Sequence, residues 1–331
     1  MKNKEIIGID VSKATLDLYI LSKGKYSAVD NSPIGFSRLL ELCCTQLRCP
    51  KKALFFCFEN TGRYSRLLSV FLHEEGIPFA MVSALEVKQS KGLVRGKSDR
   101  KDAKTLALYA SHRRDTLAPT LLQTAEVSQL RQLIRLREKL MKHRTAYKNG
   151  VKDLQDIYAE GESGFIRDTQ QRMIDQITHE IERVERRMDE IIDAIPEWNQ
   201  NARLIRTVKG VGPVLARFLI VYTENFTRFT DPKKFACYAG VAPFEYSSGS
   251  SIKGRTRVHR CANKQLKSLL NVASMSAIQQ RGEYKEYYQR RADAGKNNMS
   301  TLNVIRNKLL LRVFAVVKRQ TPYVDLSMFA A

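Results

Sequence analysis

The chain has 331 residues, with 56 Lys+Arg against 34 Asp+Glu, a formal net charge of +22 at pH 7, and 43% hydrophobic residues. That length predicts two or three domains with real cores, and the composition excludes a disordered basic tail protein. Its apolar runs, such as residues 309–311 and 313–317 on either side of Arg312, fall short of the roughly 18–20 residues that span a bilayer, so no membrane segment is expected.

The first ~120 residues alternate strand-like and helix-like segments. Residues 5–10 (EIIGID) and 15–21 (TLDLYIL) read as strands, and 25–30 can complete a meander. A helical spacing covers 35–46, a buried-strand run covers 54–59 (LFFCFE), and a helix follows over 64–74. Another strand is predicted at 78–83 and another helix at 99–112. Clustered strands followed by β-α-β-α predict an α/β domain on a mixed sheet, a layout that fits a ribonuclease-H-like fold. In the middle of the chain, Ile174, Ile177, Ile181, Val184, Met188, Ile191 and Ile195 step 3-4-3-4-3-4, a heptad seam ending at Pro196. Val127, Leu130, Leu133, Ile134, Leu140, Tyr147, Val151 and Leu154 form a looser pattern upstream, interrupted at Asn149-Gly150 and at 161–164. Two long helices with a turn near 160–164 are expected. They form either an intramolecular hairpin or a dimerisation arm. Beyond residue 200 the expected helices are shorter, at 203–207, 214–222, 232–239, 263–280 and 301–319, with a Ser/Gly-rich stretch at 246–254. The expected domains are 1–122, 123–198 and 199–331.

The six cysteines and five histidines lie in no metal-binding spacing, because Cys43 and Cys44 are adjacent and the histidines are scattered singly. No signal peptide is recognisable at Met1-Lys2-Asn3-Lys4, so reduced thiols and a cytoplasmic protein are expected. Any metal here should be a hard cation held by carboxylates.

Four acids stand where an α/β domain presents such groups. Asp10 closes the first strand and Glu59 closes the apolar strand. Asp99 and Asp102 sit three apart behind Ser98, a helix N-cap candidate, so they share one face of the helix start. Singly, each is what a turn, cap or helix N-terminus ordinarily carries. Together they suit phosphoryl transfer, which uses Mg2+ or Mn2+ bound by converging carboxylates to neutralise charge on the reacting phosphate. Lys97, Arg100, Lys101 and Lys104 flank them and could hold a nucleic-acid strand.

Gly8-Ile9-Asp10 with Lys13, Glu59-x-Thr61-Gly62-x-Tyr64, and Gly92-Leu93 with Lys97-Ser98-Asp99-x-x-Asp102-Ala103 resemble the DEDD transposases of insertion sequences, the group that includes the Piv/MooV invertases. The likeness continues through Val211-Gly212, residues 235–243 (FACYAGVAP), Ser248-Gly249-Ser250-Ser251 and Gly295-Lys296, nearly the whole chain. Ser98 stands where members usually have Thr, and Asn60 where they often have Ala; both changes spare the acids. The resemblance implies a RuvC-like domain with Asp10, Glu59, Asp99 and Asp102 as its acids, a coiled-coil arm, and a mainly helical C-terminal transposase domain with a short β-hairpin. It also implies a serine nucleophile at Ser248, with Ser247 as the adjacent alternative, and composite active sites in a homo-oligomer (dimer or tetramer). Recently recognised members are guided by a bridge RNA that pairs with target and donor DNA.

Without the resemblance, residues 246–251 read as a Gly/Ser hairpin turn. The residues after it carry Lys253, Arg255, Arg257, Arg260, Lys264, Lys267 and Arg281, with no acid between Glu245 and Glu283. Lys253, Arg255 and Arg257 alternate, as on one face of a strand. Such a run is a solvated basic face or a phosphate track. Lys209-Gly210-Val211-Gly212 resembles a helix-hairpin-helix phosphate clip, and a plain structural turn is the other reading. The expected function is that of a DNA transposase or site-specific recombinase acting through a phosphoserine intermediate. The alternatives are a RuvC-like nuclease or junction resolvase without a covalent step, and a non-catalytic RNA/DNA-binding protein.

Overall fold

The computed structural model describes residues 4–90, 98–157, 164–248, 252–258 and 260–325, with backbone alone at 155–157, 244–248 and 252–257. Lys97 and residues 249–251 lie outside the described residues. The chain divides into two compact units, Met1–Gln123 and Thr124–Ala331.

The first unit is built on a five-stranded sheet in the order β3-β2-β1-β4-β5. Its strands are β1 (Glu5–Val11), β2 (Thr15–Ile20), β3 (Lys25–Asp30), β4 (Leu54–Glu59) and β5 (Phe79–Val82). The β1–β2 and β2–β3 pairs are antiparallel, whereas β1–β4 and β4–β5 are parallel. Side chains alternate along each strand, so both faces are apolar and both need cover. Ile7, Ile9, Phe56 and Phe58 pack with Phe36 and Leu39 of α1 (Pro33–Leu47) and Leu68 and Leu72 of α2 (Arg63–Glu74). Ile6, Phe55, Cys57 and Ala80 pack with Val87 of α3 (Ala84–Ser90) and Ala103, Leu106 and Ala107 of α4 (Asp99–His112). Ser32 caps α1 by accepting from Gly35 N at 3.2 Å, and Pro33 sits in its first turn. The seven residues of α3 give too short a period to recognise in the sequence. Burial pushes the Cys43 and Cys57 thiols up to about 12.

The second unit opens with two long helices, α5 (Ala125–Ile157) and α6 (Gly164–Asp193). Arg137 donates to Glu185 (2.6 Å) and Arg144 lies 3.4 Å from Thr178 Oγ1, so the helices run antiparallel. Ile174, Ile177, Ile181, Val184, Met188 and Ile191 are buried within this chain. The seam therefore finds cover in an intramolecular hairpin. Asn149-Gly150 does not interrupt α5, which runs through both residues.

Pro196, expected to end the seam, begins α7 (Pro196–Arg206), since a first-turn residue needs no N–H partner. Then come α8 (Pro213–Thr223), α9 (Pro232–Tyr238), the hairpin β6 (Phe244–Ser248) and β7 (Ile252–Arg257), α10 (Lys264–Gln279), α11 (Glu283–Asp293) and α12 (Asn298–Arg319). The α11 helix escaped the sequence pattern because, in EYKEYYQRRAD, only Tyr284 is buried. Arg217 on α8 joins α6 to this core, with Nε and Nη2 on Asp189 and Nη1 on Glu185, each at 2.7 Å.

Candidate functional site

The parallel register that sets Ile9 opposite Phe58 brings the ends of β1 and β4, with Asp10 and Glu59, to the same edge of the sheet. Gly8 decides what lies above them. A Cβ there would stand 2.1 Å from Ala103 O and 2.4 Å from Ala107 N, so only glycine lets α4 lie directly on β1. Asp10, two residues on, shares that face, as Glu59 shares the face of Cys57. Ser98 Oγ accepts from Lys101 N at 3.4 Å and starts α4, which places Asp99 and Asp102 in its first turn, where carboxylates suit the helix dipole.

The electrostatics show that these groups converge. Asp10 is half-buried, and its pKa is raised to about 6, first by burial and then by the charges of Asp102, Asp99, Asp17 and Glu59. A carboxylate pressed by four like charges is a site that a cation would relieve. The donors are all carboxylate oxygens, which suits a hard divalent cation such as Mg2+ or Mn2+. Among the described residues, no three such side chains stand close enough to grip an ion as placed, so binding requires the carboxylates to draw together.

Asp17 escaped the sequence reading. It lies directly opposite Asp10 across the β1–β2 ladder, is 6% exposed, and accepts a hydrogen bond from Tyr26 Oη. The alternation of TLDLYI together with the tight turn at Ser12–Thr15 is the signal that could have found it. Arg100 lies with its guanidinium carbon 5.9 Å from the centre of the Tyr26 ring, and Lys104 Nζ lies 5.7 Å from that of Tyr19. Thus the cations flanking the acids are arrayed along α4 over the β2–β3 edge. The loop after Asp10 is held as well, since Asn31 Nδ2 donates to Ser12 O (2.8 Å) and to Tyr64 O (3.1 Å). Asn60 takes a local role: its Oδ1 accepts from Gly62 N at 3.1 Å, closing the turn after Glu59.

In the second unit, Ser248 is the last residue of β6, opposite Ile252, and Ser247 lies opposite Lys253. Lys253, Arg255 and Arg257 occupy alternate positions of β7, and Arg260 is exposed before α10. Lys209 is differently engaged: its ammonium donates to Asp325 (2.7 Å) and to Arg281 O (2.8 Å). Gly210 has φ +84, and a Cβ there would meet Ala273 O at 2.4 Å, so the glycine serves packing on α10.

Comparison with known proteins agrees with this geometry. A family model of DEDD transposases of the IS110 type, described as a transposase, matches residues 7–159. A second, described as the transposase IS116/IS110/IS902 family, matches residues 202–289. The pilin gene-inverting proteins of Moraxella bovis and Moraxella lacunata are each 25% identical over 327 residues, covering 97% of this chain and 98% of theirs. The transposase for insertion sequence element IS1111A of Coxiella burnetii is 23% identical over 196 residues, 53% of each chain. From the acids at the sheet edge and these matches along most of its length, the chain belongs to the DEDD insertion-sequence transposases and recombinases of the IS110/IS116/IS902 family, enzymes that act on DNA.

Proposed function

We propose that this protein cuts and rejoins DNA at the ends of a mobile insertion sequence through a covalent phosphoserine intermediate at Ser248. The observation that supports it most is the half-buried Asp10, whose carboxyl is pushed up first by burial and then by Asp102, Asp99, Asp17 and Glu59. In this reading Asp10, Glu59, Asp99 and Asp102 hold Mg2+ or Mn2+ in a ribonuclease-H-like (RuvC-like) domain, a fold with which the strand order β3-β2-β1-β4-β5 is consistent. When bound, the metal supplies charge neutralisation at the scissile phosphate and lowers the pKa of an attacking oxygen. Ser248 Oγ forms a bond to phosphorus as the bond to a deoxyribose oxygen breaks. The serine proton leaves to solvent or a nearby base, and the released hydroxyl takes one up. Attack by the hydroxyl of another strand reverses the step and frees the serine, so bond energy is kept without ATP.

Arg100, Lys101, Lys253, Arg255, Arg257 and Arg260, with Lys97, form the proposed nucleic-acid contacts. The charge of +22 supports several strands bound together, target and donor DNA with a bridge RNA whose pairing chooses the sequence. Composite active sites in a homo-oligomer and a cytoplasmic setting complete the proposal; among the described residues, no helix is long and apolar enough to cross a membrane. Lys209, whose ammonium pairs with Asp325 at 2.7 Å, we assign to the fold and leave out of these proposed contacts.

Denaturing gels with labelled element ends test the covalent step. A protein–DNA adduct that disappears in Ser248→Ala supports it, while cleavage without an adduct would assign a hydrolytic RuvC-like nuclease. Asp10→Ala with Asp102→Ala should abolish cleavage and leave binding intact; unchanged activity would leave only a binding protein.

A further inference from the structure

The segment leading into the serine hairpin is held through a buried cation that none of this chemistry uses. Arg306, on α12, is 4% exposed, and among the described residues it has no carboxylate partner. Its Nη2 donates to Asn271 Oδ1 on α10, its Nη1 lies 3.4 Å from Asn303 Oδ1, and its Nε has no partner. Burial pulls its pKa down with no carboxylate to oppose it. A guanidinium buried against neutral amides costs the fold stability, so packing alone does not account for it.

What the arginine does is set directions. A guanidinium only donates, whereas an asparagine amide has an oxygen end and a nitrogen end. With both oxygens turned to Arg306, both NH2 groups face elsewhere. Asn303 Nδ2 donates to Val241 O at 2.9 Å, just ahead of Phe244, where β6 begins. The far foot of the hairpin is tied separately: Asn263 N donates to Tyr238 O at 2.8 Å, and Asn263 Oδ1 caps α10 by accepting from Gln265 and Leu266 N at 3.1 Å. Both feet are thus fixed to the helical core. At the entry foot Val241 N and Ala242 N also donate to Ala236 O (3.0 and 3.3 Å), and the Val241 carbonyl is the part whose tie depends on the orientation of one amide.

We propose that Arg306 is a positioning residue for Ser248, orienting Asn303 so that its amide holds the Val241 carbonyl and with it the entry of the hairpin that presents the serine. The role in catalysis rests on Ser248 being the nucleophile; the tie to the hairpin does not.

Two variants of the full chain separate positioning from simple structure. Asn303→Asp gives Arg306 a carboxylate and removes the NH2 that Val241 O accepts, so the fold should stay as stable or gain while the hairpin entry loosens. Arg306→Met removes an unpaired buried charge at similar volume. Both should keep Tm and DNA binding close to those of the unaltered protein. Amide hydrogen exchange over residues 242–248 should accelerate, and adduct formation at Ser248 should slow at least about tenfold, since a misplacement of ~1 Å at a reacting group can cost ~100-fold. Arg306→Lys, which keeps a donor, should recover part of the rate. Unchanged exchange and an unchanged adduct rate overturn the proposal, and so does a parallel fall of Tm, binding and adduct formation. Accelerated exchange with no adduct even in the unaltered protein overturns the nucleophile at Ser248 and leaves the tie standing.

Discussion

Asp10 and Asp17 stand directly opposite each other in the antiparallel β1–β2 ladder, two carboxylates on one face of adjacent strands. Like charges so placed oppose folding. Tyr26 Oη donates to Asp17, while the Asp10 pKa is raised to about 6, first by burial, then by Asp102 and Asp99, with Asp17 adding to them. If a divalent cation binds this edge as proposed, it should stabilise the fold.

The pH dependence follows from that shift. The ordinary value of 3.8 rises to about 6 in the folded protein, so the folded state holds this proton more tightly than the unfolded chain does. Ionised Asp10 therefore costs nothing below pH 3.8, an increasing amount up to about 6, and its full cost above that. Asp10→Asn should raise the Tm of the metal-free protein near pH ~7.5 and leave it almost unchanged near pH ~4. Calorimetry across this range checks the sign. In the unaltered protein, Mn2+ affinity should fall as pH drops through about 6, because proton and metal compete for one carboxylate.

Gly8→Ala should displace α4. The new Cβ would meet the Ala103 and Ala107 backbone, which cannot rotate away, at a cost of ~1–3 kcal/mol. Asp102 and Asp99 ride on that helix, so Mn2+ affinity should weaken along with stability. Urea unfolding and metal titration on the same variant measure both effects.

Arg217→Ala should loosen the base of the helical hairpin. It leaves Asp189 without its bidentate partner and Glu185 with Arg137 alone, at an expected cost of ~3 kcal/mol in urea unfolding. Burial pushes the Glu185 carboxyl up, yet the hydrogen bonds from Arg137 and Arg217 outweigh it and hold the group below 4.5. A lowered acid stabilises the fold above its unfolded pKa and loses that contribution as pH falls through the folded one. The acid-side loss of stability should therefore be smaller in Arg217→Ala than in the unaltered protein.

Lys209→Ala should read as a stability defect. Asp325 is 4% exposed in its side chain, and losing the ammonium at 2.7 Å leaves a buried charge short of a partner, at ~3 kcal/mol. Nucleic-acid affinity and its salt slope should stay constant in filter binding. Charge removal at Arg100 or Arg260 should instead weaken binding and reduce the slope by about one.

The strands of the first unit, the two long helices and the four acids are legible because each depends on local pattern: alternation, heptad spacing, a cap before paired acids. Short α3 and surface-lying α11 have too few buried positions to show a period. Asp17 is hinted at by the alternation of TLDLYI, but its pairing with Asp10 is set by the β1–β2 register. The Arg306–Asn303–Val241 tie lies beyond pattern altogether, since it joins residues through a helix crossing that spacing does not encode.

By itself the sequence determined a basic, multidomain chain suited to a polyanion, with four carboxylates at strand and helix ends, because charge, period and capping are properties of neighbours along the chain. Only the tertiary structure decided that Asp17 presses on Asp10, that Gly8 admits α4, that the heptad seam is covered within the chain, and that Lys209 is bound to Asp325. Those depend on which atoms meet once β1 pairs with β2 and the helices pack. Close approach and burial set both the cost of a charge and the direction of a hydrogen bond.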